Sequence, residues 1–436
     1  MSRSIISQPC PHLLLRGARV VDPGAGIDQT LDVLIEDGVI KQVAPQIPAP
    51  DNFEMINAAG LVLTPGWFDL HVHFREPGRE DEETVLTGCA AALAGGFTGV
   101  CPMPNTSPAT DKAEIVKSII AQSRQTMVDV HPIAAATKGR EGKEPTEIAE
   151  LVDAGAVAFS DDGCSVRTAE LVRRVMEYAG MYQKPLIEHA EDESLCLKGA
   201  MNEGVIATKL GLSGLPTIAE DIIVARDVLI AEYTGGRLHI AHISSKGAIE
   251  LVRRAKAAGV QVTCEVTPHH FSLSHEAVIG FETNTKMNPP LRSPADVEAV
   301  IAGLQDGTID AIATDHAPHS SEEKNVEYPA APFGVIGLET AMGLIISRLV
   351  LTKKLSLSQA VAKVTVAPRR ILNLPPAEIK AGQTANLTVF SIEKKWVVDK
   401  TKFYSKSRNT PFDGWQLAGK VFGVYHKGQW WASPDF

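Results

Sequence analysis

Short apolar runs separated by longer amphipathic stretches dominate the middle of the chain. Runs at 68–74, 98–104, 128–136, 156–161, 185–189, 237–243, 261–267 and 310–314 read as strands. Each is followed by a segment with helix-like apolar spacing, such as 169–178 or 248–257. Eight strand and helix units over residues 66–372 predict an α/β fold, a (β/α)8 TIM-type barrel, whose functional groups sit where strands run into loops. A doubly wound open sheet is the competing architecture, and no G-x-G-x-x-G loop follows an early strand here.

The two ends of the chain have another character. Runs at 13–21 and 32–40 read as short β-type runs with turn signals, Asp37-Gly38 between apolar stretches being a strong hairpin signal. Residues 386–390 and 424–431 show the same pattern. A small β-sandwich domain built from both ends is expected, residues 1–65 supplying one part and 373–436 the other. No internal repeat, low-complexity tract or long charge run interrupts this organisation.

Hydrophobic residues make up 44% of the 436, enough for a sizeable core, and the formal net charge is -10. That charge argues against a nucleic-acid surface or a polybasic membrane patch, so an anionic substrate would need local positive charge from a metal or an arginine. The six cysteines are scattered, with no C-x-x-C pair, which suits reduced thiols in a cytoplasmic protein. Residues 1–10 lack the apolar core of a secretion signal, and no later run is long enough to cross a bilayer. A soluble, cytoplasmic protein is expected.

Candidate chemistry changes the picture most. Side chains alternate along a strand, so His71 and His73 emerge on one face with Val72 on the other, and two such imidazoles can share a metal ion. An isolated His-x-His reads equally well as a pair of core histidines. Here other strand ends carry similar groups: Asp161-Asp162-Gly163 after the fourth, His189 after the fifth, His242 after the sixth, and Asp315-His316-Ala317-Pro318-His319 after the eighth. Imidazoles and carboxylates suit zinc or a similar divalent ion, and a carboxylate can bridge two ions. His269 and His270 after the seventh strand read better as structural hydrogen-bonding residues, and Cys101 and Cys264 as core. The polar stretch 320–329 is either a lid or a solvated loop.

Several motifs together carry a resemblance: His71-Val72-His73-Phe74-Arg75-Glu76-Pro77-Gly78, Met103-Pro104-Asn105-Thr106, Phe159-Ser160-Asp161-Asp162-Gly163, Asn288-Pro289-Pro290-Leu291-Arg292, Asp315-His316-Ala317-Pro318-His319 and Phe333-Gly334. The chain resembles type I dihydroorotases of the amidohydrolase superfamily over essentially its whole length. The resemblance implies His71, His73, His189, His242, Asp162 and Asp315 as metal ligands, with Asp162 rather than Asp161 as the bridge and Asp315 as catalytic proton carrier. It places His73, Arg75, Asn105, Asn288, His319, Phe333 and Gly334 against the substrate, and implies one or two zinc ions per subunit.

The implied reaction is the reversible cyclisation of N-carbamoyl-L-aspartate to dihydroorotate in pyrimidine biosynthesis, with a metal-activated hydroxide as nucleophile in the ring-opening direction. Arg75 would offer a bidentate fork to the substrate carboxylate. Related hydrolases of dihydropyrimidine, hydantoin or allantoin type use a carboxylated lysine on the fourth strand, and 156–162 contains none. A non-catalytic scaffold subunit of aspartate transcarbamoylase would be expected to lack metal ligands, and none is missing. A homo-oligomer, and an association with aspartate transcarbamoylase, are the partners the resemblance suggests.

Overall fold

The computed structural model describes residues 5–196 and 198–436; residues 1–4 of the N-terminal segment read above lie outside them. Eight parallel strand segments form the barrel: β1 Trp67–Val72, β2 Phe97–Pro102, β3 in two pieces (Asp129–Val130 and Ile133–Ala135), β4 Ala158–Ser160, β5 Leu186–Glu188, β6 Leu238–Ile240, β7 Val262–Val266 and β8 Ala311–Ile312. Each falls inside or within one residue of a predicted run. The break in β3 lies at His131-Pro132, where the proline has no N–H to give to the ladder. The ring closes between β8 and β1, where Val72 bridges His316 and the His73 N–H donates to the His316 carbonyl at 2.8 Å.

Two apolar layers hold the barrel. Phe68, Leu70, Cys101, Ile133, Ile187 and Ala311 fill its interior, and Ile371 and Leu372, from the end of the Val366–Ile371 helix and just beyond it, join the same cluster. The outer layer packs strands against helices such as Ala169–Met181, whose buried Leu171, Val172, Val175, Met176 and Ala179 follow helical spacing, with Thr168 capping its start.

The β-rich part draws on both chain ends. Val62–Pro65 pairs with Leu387–Val397, which pairs in turn with Gln416–His426, while His12–Asp22 carries the N-terminal strands. Hydrogen bonding makes it one continuous nine-stranded sheet. Leu13, Val20 and Ile35 from one end and Leu387, Val389 and Tyr425 from the other share a single core, so the sheet folds over on itself as a two-layered unit. The hairpin at Asp37-Gly38 has positive φ at both residues (51° and 77°), the geometry that matches strand twist.

Candidate metal centre

The β1 register shifts against β2 between Asp69 and Val72. Such an irregularity re-aims side chains. It lets Phe68 and Leu70 pack inward below while His71 and His73 still face the barrel axis above them. Three other site residues sit on unusual backbone: Arg75, His242 and Asp315 have φ of 42°, 30° and 48°. Left-handed backbone at non-glycine residues costs about 1–3 kcal/mol each and clusters at functional sites.

Two ligand groups share one carboxylate. Asp162 Oδ1 lies 3.3 Å from His71 Nε2, and Oδ2 lies 3.6 Å from His73 Nε2; on its other side Oδ1 is 3.7 Å from both His189 Nδ1 and His242 Nε2. Asp315 Oδ1 completes the first group, 3.0 Å from His73 Nε2 and 3.6 Å from His71 Nε2. All six side chains are buried. The structure thus brings the six sequence-predicted ligands together and turns Asp161 away, its carboxylate accepting from the Thr137 N–H and hydroxyl.

Several observations fit a cation here. His71 Nε2 and Asp162 Oδ1 face one another, yet both are buried without a hydrogen-bond partner, an expensive arrangement for two acceptors that a cation between them would relieve. Burial disfavours the Asp162 and Asp315 charges, but the surrounding imidazoles outweigh it and hold both carboxyls well below the usual range. Conversely, burial would lower His189, and the Asp162 and Glu191 carboxylates instead raise it to about 10. Four imidazole nitrogens with carboxylate oxygens are a donor set that suits zinc.

Three of the four remaining ring nitrogens have partners, and two of those partners, Glu265 and Glu191, were not singled out from the sequence; among the described residues His242 Nδ1 has none. His71 Nδ1–H donates to Glu265 Oε1 at 2.9 Å, and Glu265 also faces His239. Glu191 Oε2 lies 3.6 Å from His189 Nε2 and accepts from the Asn288 amide at 2.6 Å. A glutamate inside the apolar β7 run was the available signal for Glu265; for Glu191 it was only the proximity to His189. His73 Nδ1–H donates to Asn105 Oδ1 at 2.8 Å, which leaves the Asn105 amide N–H groups for a ligand.

A cavity of about 200 Å³ opens over this cluster, lined by Arg75, Asn105, Asn288, His319, Phe333 and Gly334 among others. It is smaller than sites for drug-sized ligands and suits one small ring. Every predicted substrate residue lines it. Gly334 has φ of 140°, and a Cβ there would meet Ala317 and His319 at 2.9–3.0 Å, so glycine is required for the wall to come this close. A larger groove of about 610 Å³ crosses the sheet domain near Trp396 and Phe403, away from the imidazoles. His270 is bonded to Thr267 and the Pro289 carbonyl, a structural role, and Cys101 and Cys264 are core. The 320–329 stretch contains the short helix Ser321–Lys324. Among the described residues no helix is long and apolar enough to cross a membrane.

Residues 60–248 match a protein family described as dihydro-orotase-like. The chain is 49% identical to a dihydroorotase of Citrifermentans bemidjiense over 96% of its own length and 99% of that protein. It is 50% identical to one of Pelotomaculum thermopropionicum over 93% and 95%. Among solved structures it resembles an L-hydantoinase (dihydropyrimidinase) from Arthrobacter aurescens, with a TM-score of 0.86 over 95% of both chains at 22% identity, a likeness of fold.

Proposed function

The chain belongs to the dihydroorotase family of cyclic-amide hydrolases, and from that premise we propose how its own residues interconvert dihydroorotate and N-carbamoyl-L-aspartate. The observation that carries the reading is the convergence of four imidazoles and two carboxylates beneath a small cavity that also holds a guanidinium. Zinc, one or two ions held by His71, His73, Asp162, His189, His242 and Asp315, would acidify the attacking water and polarise the ring carbonyl.

Asp315 moves the proton. As a carboxylate it accepts one from the water that attacks the ring carbonyl, and it returns that proton to the amide nitrogen as the C–N bond breaks. Ring closure retraces the path with Asp315 protonated at the outset. Its low pKa keeps it in the accepting form at neutral pH.

Arg75 and Asn105 hold the exocyclic carboxylate. Arg75 is fixed by the Pro318 carbonyl at 3.1 Å and by Glu82 at 3.3 Å. Asn288 Oδ1 is buried without a partner at the cavity wall, an acceptor suited to a ring N–H. His319 and the Phe333-Gly334 backbone close the remaining side.

The barrel we assign to 66–372, since Val62–Pro65 already pairs in the sheet and the Val366–Ile371 helix still packs on the barrel. A homo-oligomer is part of the proposal. Ile222, Leu229 and Tyr233 on one helix, with Tyr178, Met181 and Tyr182 at its neighbour, expose large apolar side chains that a second copy would cover. Buried or half-buried free cysteines agree with a cytoplasmic location.

The test is an assay of purified protein on dihydroorotate, N-carbamoyl-L-aspartate, hydantoin and dihydrouracil, with metal content measured on the same sample. Turnover of the first two, with zinc bound and activity lost to a chelator, is expected. Preference for hydantoin or dihydrouracil would move the substrate assignment to another cyclic amide.

A further inference from the structure

Two lysines that this chemistry does not use lie buried beside the substrate cavity. Lys286 is 4% and Lys324 5% exposed, and burial lowers both below the usual lysine range, Lys324 to about 7. Among the described residues their ammonium groups are bonded to main-chain carbonyls rather than to carboxylates. Lys286 Nζ donates to Pro329 and Ala331 at 2.8 and 2.6 Å. Lys324 Nζ donates to Thr283, Lys286 and Pro332 at 3.1, 3.3 and 2.8 Å.

An apolar side chain would fill this space without the cost of burying charge. What it could not do is satisfy loop carbonyls that have no ladder to join; an ammonium offers three donors in one place. The bonds tie the 283–286 segment to the 329–332 segment, and the tie ends at the cavity wall. The Lys286 ammonium sits 4.6 Å from the centre of the Phe333 ring, and the Gly334 N–H donates to the Lys286 carbonyl at 2.9 Å. On the cavity side, His319 Nε2 lies 2.8 Å from the Phe333 carbonyl oxygen.

We propose that Lys286 and Lys324 are positioning residues, a paired-ammonium clamp that fixes the Phe333-Gly334 wall against the substrate ring and so sets the affinity for it. The proposal rests on the reading of Phe333 and Gly334 as substrate wall given above. It also accounts for the 320–332 stretch as a tethered strap, anchored through Lys324.

A double-mutant cycle between Lys286 and Phe333 tests the clamp, with KM, kcat and metal content measured on dihydroorotate. Lys286→Met is expected to raise KM about tenfold with kcat within about threefold, because the loss is in ground-state and transition-state binding alike. In a Phe333→Ala background the same substitution should change KM less than about twofold, since the ring through which Lys286 holds the wall is gone. Lys324→Met should shift KM in the same direction. Equal KM penalties in the two backgrounds, or a fall in kcat at constant KM, would overturn the clamp. Should the methionine variant not fold, Lys286→Gln, which keeps two N–H donors, goes through the same cycle against the same outcomes. Wild-type protein inactive on dihydroorotate defeats the functional reading; active wild type with an additive cycle defeats the clamp alone.

Discussion

His71 Nδ1 donates to Glu265 Oε1 across 2.9 Å, and both side chains are sealed from solvent. This bond fixes the tautomer that leaves the His71 Nε2 lone pair facing Asp162 and Asp315. Glu265 is held ionised, at about 2, because the His239 and His71 contacts outweigh the effect of burial. Glu265→Gln should therefore weaken metal binding by about 10–100-fold, the range for losing an outer partner of a ligating histidine. The measurement is the chelator concentration that removes half the metal; an unchanged value would deny Glu265 that role.

Asp315→Asn keeps the shape of the side chain but cannot take a proton. Both ring opening and ring closure should slow by about a hundredfold or more if proton transfer limits the rate, since microscopic reversibility assigns one carrier to both directions. Metal content must be matched, because Asp315 also faces the ligand cluster. A metal-replete variant with near-normal rates in either direction would exclude it as the carrier.

The barrel was legible because its strands are short apolar runs, five of which end in His or Asp, and the apolar pattern survives even where β3 breaks at Pro132. The family resemblance picked Asp162 over Asp161, but the residue pattern held no reason for it: both end the same strand, and the fold sends one to the Thr137 backbone and the other to the imidazoles. Glu265 and Glu191 escaped because their partners are distant in sequence or set by loop shape; His71 and Glu265 are 194 residues apart. The buried lysines escaped for a different reason. Lys286 and Lys324 look like ordinary surface residues until the 283–286 and 329–332 segments are folded together around them.

On the proposed reading Arg75 holds the substrate carboxylate, and its own anchors, Pro318 and Glu82, do not need the ligand. Arg75→Ala should raise KM for dihydroorotate by at least about a hundredfold, the scale of several kcal/mol lost when a buried carboxylate has no partner. Dihydrouracil lacks that carboxylate, so the unmodified enzyme should use it poorly. Comparable turnover of the two compounds by the wild type would show that Arg75 does not select the substrate.

Glu339, in the first turn of the Leu338–Ile345 helix, gives a pH dependence unconnected with catalysis. Its side chain is partly buried, its carboxyl accepts from the Tyr404 and Ser405 N–H groups at 2.9–3.1 Å, and it is pushed up to about 8, chiefly by burial and further by the charge of Glu83. In the unfolded chain the same group titrates near 4.5. Between these values the folded state holds the proton that the unfolded state has released, so stability falls as pH rises through that window, by up to about 1.4 kcal/mol per unit. Below about 4.5 both states are protonated and the group contributes no slope. Glu339→Gln stays neutral throughout and keeps an oxygen for the two N–H groups. The variant should thus gain on the wild type with rising pH, by on the order of a few kcal/mol between pH 5 and 8. Denaturant or thermal unfolding of both proteins at pH 5, 6.5 and 8, with metal content matched, reads the difference directly. Parallel stability curves across that range would mean that Glu339 is already ionised in the folded protein.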